Sequence, residues 1–513
     1  MILDKIWQWL DRPISDTNVE SICWVNGLAG IGKSTIARTV AEDADRCKRL
    51  GASFFFSRQE RELSDADLFI PTISYQLARS NSKAEQVIIK AFQQDPDVVK
   101  KSFTTQMEHL ILEPLRKMTL SKPVVLVIDA IDECDNSVGA AAKLFRAVVA
   151  HCAEVPSIRL LVTSRPETYI KSILVADQVA GIVLHEDVEQ SVVSDDIRRY
   201  LSADMSRIPN ELGVDVPLPW PSSSDLNVLV RKAGKLFIWA ATAIRFVGDP
   251  RGLSPTSRLN TLLSDLVSLN VNTQNPYAAL DNLYGAILSQ AAEGLETASF
   301  EDMKTKIGTI VRLRSEMPLE AIERFLGGDA VRIALGRIQS IIPIPTNSSH
   351  PVQIYHPSFP DFITSWERCG DKRFHVNVLE DEKRLALCCL DILNHKLSGD
   401  AEKLLKPTEN ISALSKEAVL SFIPPEVQYA CRFWAAHITF QSVEHSNEEL
   451  VTRLEAFSST MLPQWVVVMS ILGGISGAIT ATQTVQQWMV SLESIGVCHL
   501  LMVVRIIRCH SVT

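Results

Sequence analysis

Short apolar runs alternate with stretches of helical spacing over the first 188 residues. "ESICWVNG" (20–27) is an apolar run that ends in glycine and predicts a strand. The stretch after it, 34–47, places Ile36, Val40 and Ala44 on one helical face. "GASFFFSR" (51–58) is short and aromatic, a second strand, and helical spacing follows over roughly 66–80, 83–94 and 104–118. "KPVVLVIDAIDECD" (122–135) is a continuous apolar run ending in acids, the pattern of a strand buried on both faces. Residues 137–152 predict a helix, 157–167 another buried strand, and 180–186 a fifth. Strands that alternate with helices imply a parallel sheet with helices on both faces.

Beyond residue 190 the strand signal fades. "SVVSDDIRRYLSADM" and "SDLNVLVRKAGKLFIWAATAIRFV" read as helices, with a Pro/Ser-rich loop at 210–225 between them. Helices continue from about 276, interrupted by one expected β-hairpin at 336–359, and resume from 375. The expected fold class is therefore α/β followed by mostly α. No repeat of 20–50 residues is evident.

Composition changes this picture little. The formal charge is −9 and no block of like charge stands out, which gives no reason to expect nucleic acid or an anionic membrane as partner. The 10 cysteines are scattered without any C-x-x-C, which argues against zinc and a disulfide framework and suits a reducing cytoplasm. The N-terminus carries acids and has no clean apolar core, so it does not read as a secretory signal. Two apolar stretches, 465–480 and 497–507, fall short of the roughly 20 residues a bilayer needs and are expected to be buried helices.

The chemistry concentrates in "WVNGLAGIGKSTIARTV" (24–40), where Gly27, Gly32, Lys33 and Ser34 fit G-x-x-x-x-G-K-[ST] between a strand and a helix. Glycines let Gly27, Leu28, Ala29, Gly30, Ile31 and Gly32 turn several amides inward, and the helix beginning at Lys33, Ser34 and Thr35 adds its positive dipole end. Such a nest holds phosphate. Lys33 would reach the terminal phosphates and Ser34 would place its hydroxyl on Mg2+. The apolar run before Asp129 puts that carboxylate at a neighbouring strand's C-terminal end, where it would hold the metal through water. Asp132 and Glu133 lie one turn further on, placed to orient or deprotonate an attacking water. Thr163, Ser164 and Arg165 end the next strand at the same edge, and Arg165 would sense the γ-phosphate. The competing readings are a solvated acidic loop for Asp129 and Asp132, and a surface ion pair for Arg165.

These segments resemble the NACHT class of STAND NTPases, in particular the large NLR-like fungal set with a nephrocystin-3-like N-terminal module. "WVNGLAGIGKSTIARTVAE", "ASFFFSR", "IPTISYQLA", "PVVLVIDAIDECD" and "LLVTSRPE" stand in that family's order and spacing. "GKLFIWAATAIRFV", "IYHPSFPDFITSWERCGDKRFHVN" (354–377) and "YACRFWAAHI" resemble its helical, winged-helix and further helical segments. The resemblance implies an ASCE-type P-loop NACHT domain at 1–188, a helical domain at 189–275, a winged-helix-like domain at 276–375 and C-terminal helices at 376–490, leaving 491–513 unassigned. It implies a cytoplasmic signalling switch of the kind used in innate immunity. Such a protein binds ATP or GTP, with ATP favoured, together with Mg2+. It is closed with the diphosphate, opens and forms a homo-oligomer with the triphosphate, and resets by slow hydrolysis. It also implies that His356, in "YHPSF", contacts the β-phosphate of the diphosphate, against the alternative of a structural or surface histidine.

Departures from the family pattern are visible. Members of that family usually carry an N-terminal effector and a C-terminal repeat array, whereas this chain begins about 25 residues before the phosphate loop and shows no repeats, and the effector or sensor partner is unnamed. "GKLFIW" lacks the proline that relatives place near adenine. Two other readings compete with the switch: a non-hydrolysing nucleotide-binding scaffold or truncated remnant, and a small-molecule P-loop kinase. The kinase would need a compact arginine-rich lid, and Arg198, Arg199 and Arg207 do not make one.

Overall fold

The computed structural model describes residues 2–15, 21–118, 120, 122–135, 139–152, 155, 157–174, 183–187, 190–251, 253–264, 275–328, 331–405, 423–439 and 448–493. The chain divides into two compact units, 1–283 and 284–513.

The first unit is built on five parallel strands: β1 (Ile22–Asn26), β2 (Leu50–Phe55), β3 (Val124–Asp129), β4 (Ile158–Ser164) and β5 (Val183–Asp187). Their order is β2-β3-β4-β1-β5. Every residue of β3 and β4 is buried, as continuous apolar runs require when helices cover both faces. Ile22, Trp24, Phe54, Leu126, Ile128, Leu160 and Val162 pack on one face, toward α3 (Ala66–Ser80), α4 (Ser82–Gln94) and α5 (Ala140–Cys152). The intervening residues Cys23, Val25, Val125, Val127 and Leu161 pack on the other face, toward α1 (Ile2–Leu10) and α2 (Lys33–Arg46).

Two details differ from the sequence reading. The buried stripe of α2 is Ala37, Val40, Ala41 and Ala44, while Ile36 is only half-buried. Small side chains on this stripe let the helix lie close to the strands. The strand bearing Asp129 is also not the neighbour of β1, because β4 lies between them. Periodicity fixes which residues face inward but not which strands pair, so lateral order was invisible in the pattern. An element with no sequence expectation is α1, whose Ile6, Trp9 and Leu10 are buried. Its end is tied down by Arg49, which donates to the Leu10 carbonyl, to Asp11 Oδ1 at 2.6 Å and to the Pro123 carbonyl at 3.4 Å.

After the sheet come α6 (Gln190–Met205), α7 (Ser223–Ala233), α8 (Phe237–Val247) and the start of α9 (Ala278–Ala292). The expected loop at 210–225 is shorter than its composition suggested. Ile208–Leu212 is helical, and Ser222 opens α7 with a capping box to Asp225.

The second unit is helical among its described residues. The expected hairpin at 336–359 is not formed. The residues make one isolated bridge, Pro318 to Pro351, and otherwise follow irregular turns around buried Ile338, Ile341 and Ile342. Pro343, Pro345, Pro351 and Pro357 lack the N–H a ladder needs, which outweighs the alternating apolar pattern. The apolar stretch 465–480 divides at Gly473 and Gly474 into Leu462–Ile471 and Ile475–Glu493. Among the described residues no helix is long and apolar enough to cross a membrane. The stretch 497–507 and the tail from 494 lie outside the described residues.

A buried polar chain links α10 (Thr297–Arg312), α11 (Val378–Leu405) and α12 (Pro425–Ile438). The Arg314 amide donates to Tyr429 Oη at 3.1 Å, which lies 2.9 Å from His437 Nε2. His437 Nδ1 lies 2.5 Å from Glu382 Oε2, and Arg312 Nε donates to Glu382 Oε1 at 3.0 Å. Burial raises the Glu382 carboxyl, but the His437 hydrogen bond and the nearby His437, Arg314 and Arg312 outweigh it and hold it below its ordinary range. Burial holds His437 below its ordinary value despite Glu382, so the ring is neutral, with its proton on Nδ1.

Both shifts act in one direction. The unfolded chain takes up His437's proton first as pH falls below about 6.5, and Glu382's contribution is lost as pH falls from about 4.5 through its lower folded value. The second unit should therefore lose stability steadily on acidification from pH 7. Denaturant midpoints followed by tryptophan fluorescence test this, and a flat profile between pH 7 and 5 contradicts it.

Candidate functional site

The C-terminal ends of β1, β4 and β3 lie side by side. Val25 and Asn26 are in register with Thr163 and Ser164, and Ile128 with Val162, which brings Asp129 level with Thr163. The loop after β1 bends through Gly27, Gly30 and Gly32, all at positive φ, and Gly32 caps α2 in the left-handed region at φ 98°. Gly32 caps α2 and Lys33, Ser34 and Thr35 open it, so these four amides have no intrahelical carbonyl to bond. They are the unpaired donors of a helix N-terminus, directed with the dipole's positive end.

Lys33 is 9% exposed. Its ammonium donates to the carbonyls of Gly27 and Leu28, each at 2.8 Å, leaving its third proton for a ligand. Burial pulls this group down to about 8, against the attraction of Asp132, with Arg165 lowering it further and Asp129 and Glu133 opposing. A desolvated cation beside unpaired amides is a place where an anion gains strongly.

Asp129 is 3% exposed and accepts a hydrogen bond from Thr163 Oγ1. The same oxygen accepts from the Ala130 amide at 3.0 Å. Ala130 sits at φ 53°, a left-handed conformation that costs a non-glycine residue energy. Burial raises the Asp129 carboxyl, hydrogen bonds from Thr163 and Ser34 and the charge of Lys33 lower it without cancelling the effect, and Asp132 adds to the rise. The donor set facing this corner, one carboxylate and the Ser34 hydroxyl, is all oxygen and suits a hard cation. Among the described residues no cluster of three His, Cys, Asp or Glu ligands forms. Magnesium needs none, because it takes one or two protein ligands and fills its shell with phosphate and water.

Asp132 and Glu133 lie in a single 3-10 turn after Ala130. The Arg165 amide donates to Asp132 Oδ1 at 2.9 Å, and Arg165 Nε lies 3.4 Å from Oδ2. Arg165 is thus paired with one of the predicted catalytic acids and not with a surface carboxylate. Arg58 has no role in the sequence reading. It donates from Nη2 to the Asp132 carbonyl at 3.1 Å, lies 3.8 Å from Asp132 Oδ2, and its amide donates to Glu133 Oε2 at 3.3 Å. Burial raises the Glu133 carboxyl, opposed by the Arg58 amide. Arg58 closes "ASFFFSR" just after β2, and its position at a strand end was the available signal.

The loop's outer side is held by residues the sequence reading also passed over. The Ile238 amide donates to the Gly30 carbonyl at 3.0 Å. A Cβ at Gly32 would stand 3.6 Å from the Phe237 ring, which pairs with Tyr200 at a centroid distance of 6.2 Å. Tyr277 Oη accepts from the Ala29 amide at 3.1 Å. His356 belongs to the second unit. Its Nδ1 accepts from the Ser358 amide at 3.1 Å and lies 2.7 Å from Ser358 Oγ, so a ring proton sits on Nε2.

Three comparisons with known proteins bear on the chain. Residues 3–165 match the family described as nephrocystin 3, N-terminal. Among curated proteins none matches. A solved structure of Drosophila ORC bound to DNA aligns over 95% of this chain and 71% of that chain at 11% identity, with a TM-score of 0.26. A likeness at that level fixes neither fold nor partner.

Thr163→Val should strip Asp129 and the Ala130 amide of their shared partner at a fully buried position. The expected loss is about 1–3 kcal/mol of stability, read by chemical denaturation of the first unit. An unchanged midpoint contradicts this account of the corner.

Proposed function

We propose that this chain is a nucleotide-dependent signalling switch of the NACHT/STAND kind, which binds a nucleoside triphosphate with Mg2+ and turns it over slowly. The observation that carries the reading is the shared corner: open amides at Gly32–Thr35, the Lys33 ammonium, and the Ser34 hydroxyl beside the Asp129 carboxylate. The match over residues 3–165 to a nephrocystin 3 N-terminal family supports it. ATP is the favoured nucleotide.

In this reading the amides and Lys33 bind the phosphates, while Ser34 and Asp129 would hold the metal, which supplies charge neutralisation when bound. Asp132 is committed to Arg165 and Arg58 and serves to orient Arg165 toward a γ-phosphate. Glu133, whose carboxyl burial raises above its ordinary range, is suited to take a proton from water. One of its two oxygens accepts from the Arg58 amide, which would lower its basicity and slow turnover. That engagement also favours the second reading, a scaffold that binds nucleotide without hydrolysing it. The region 276–375 would act as the winged-helix-like element, with His356 offering its Nε2–H to the β-phosphate of a diphosphate. Opening in the triphosphate state would permit homo-oligomerisation in the cytoplasm.

The deciding experiment is the identity of co-purifying nucleotide followed by single-turnover hydrolysis with Mg2+. Slow product formation supports the switch, bound but intact triphosphate supports the scaffold, and no nucleotide affinity defeats both. Lys33→Ala should lower triphosphate affinity roughly 10- to 100-fold by calorimetry while the protein stays folded. Equal affinity in the variant removes the loop from the site. His356→Ala should speed diphosphate release in stopped-flow measurements, and an unaltered off-rate removes His356 from the mechanism.

A further inference from the structure

The peptide between Leu28 and Ala29 is held at both poles. Its carbonyl accepts from the Lys33 ammonium at 2.8 Å, and its N–H donates to Tyr277 Oη at 3.1 Å. In a trans peptide these groups point in opposite directions from one rigid plane. Rotating the plane about its flanking Cα atoms breaks both contacts together. That rotation turns ψ of Leu28 and φ of Ala29, and the glycines at 27 and 30 can absorb the compensating change on either side. An anchor on the Ala29 amide therefore favours the orientation in which the carbonyl faces the lysine.

We propose that Tyr277 is a positioning residue of the phosphate loop: its phenol pins the Leu28–Ala29 peptide so that the Leu28 carbonyl holds Lys33 in place for terminal phosphates. The claim deepens the nucleotide-binding reading and rests on it only for the ligand, not for the clamp itself.

Tyr277 is well placed for this task. Its own amide donates to Asn275 Oδ1 at 2.9 Å, and its carbonyl accepts from the Asp281 amide at 2.9 Å, opening α9. Asn275 Nδ2 in turn donates to Asp281 Oδ2 at 3.1 Å. The backbone that carries the phenol is thus fixed by a capped helix start. Trp239 Nε1 donates to the Ala279 carbonyl at 3.2 Å, joining α9 to α8. The start of α8 supplies the second outside anchor, the Ile238 amide on the Gly30 carbonyl. The loop is therefore gripped from behind by two elements that are themselves tied together. Lys33 has two protein acceptors, and Tyr277 governs the orientation of one of them.

Tyr277→Phe keeps the ring and removes the hydroxyl that accepts the Ala29 amide. In nucleotide-free protein, hydrogen exchange at the Ala29 amide should accelerate while the strand amides of β1, β3 and β4 stay protected. By calorimetry, the ratio of triphosphate to diphosphate affinity should fall about three- to tenfold, the size of one hydrogen bond's net contribution. Unchanged exchange at Ala29 overturns the clamp whatever the nucleotide data show. Equal losses for both nucleotides, or none, overturn the positioning of Lys33. A wild-type protein that binds neither nucleotide sinks the proposed function instead, and the exchange result then judges the clamp alone.

Discussion

The hydroxyl of Thr163 is the joint on which the site depends. It donates to the Asp129 carboxylate and accepts the amide of Ala130, across the boundary between β4 and β3. A carboxylate this deeply buried is costly in its charged form unless hydrogen-bonded. The threonine supplies one bond, Ser34 another, and the Lys33 charge a third stabilising influence. Remove the joint and the left-handed Ala130 loses the partner of its amide, keeping only the Glu133 amide on its carbonyl at 2.8 Å. The turn that carries Asp132 and Glu133 begins at that residue.

From this joint the rest of the corner follows in layers. Asp132 is pinned by the Arg165 amide, which leaves the same strand end as Thr163. Arg58 arrives from β2 and joins the pair to Glu133. Two arginines and one lysine thus share three carboxylates at this corner, and the burial-driven shifts of Lys33, Asp129 and Glu133 all run toward neutrality. The charges balance in number, but Lys33, Asp129 and Asp132 are largely withdrawn from solvent. An anionic ligand with a divalent cation would relieve both sides together.

The two units solve burial of charge differently. In the first, charged groups gather at the open end of a sheet, where a helix terminus and loop amides face them. In the second, Glu382, His437, Tyr429 and two arginines form a chain in which each side chain bonds another, though Arg314 Nε is left without an acceptor. A chain so paired stiffens a helical core and offers little to a ligand. An open one is incomplete by construction, which is why the sheet edge and not the helical chain is the place to look for function.

What the sequence determined was local. Apolar runs at 122–135 and 157–167 were long and uninterrupted enough to demand strands covered on both faces. The glycine spacing before Lys33 required a turned loop ahead of a helix, and the acids after Val127 and Ile128 had to stand at a strand end. Its errors were also local, as at 336–359, where alternation was read without weighing four prolines that cannot donate. Only the tertiary structure decided lateral neighbours: that β4 separates β3 from β1, that Arg58 reaches Asp132, and that Tyr277 grips a peptide 248 positions earlier in the chain. Such contacts have no periodicity to betray them. They arise where the ends of distant elements meet, and a hydrogen bond's partner is chosen by geometry in space, not by spacing along the chain.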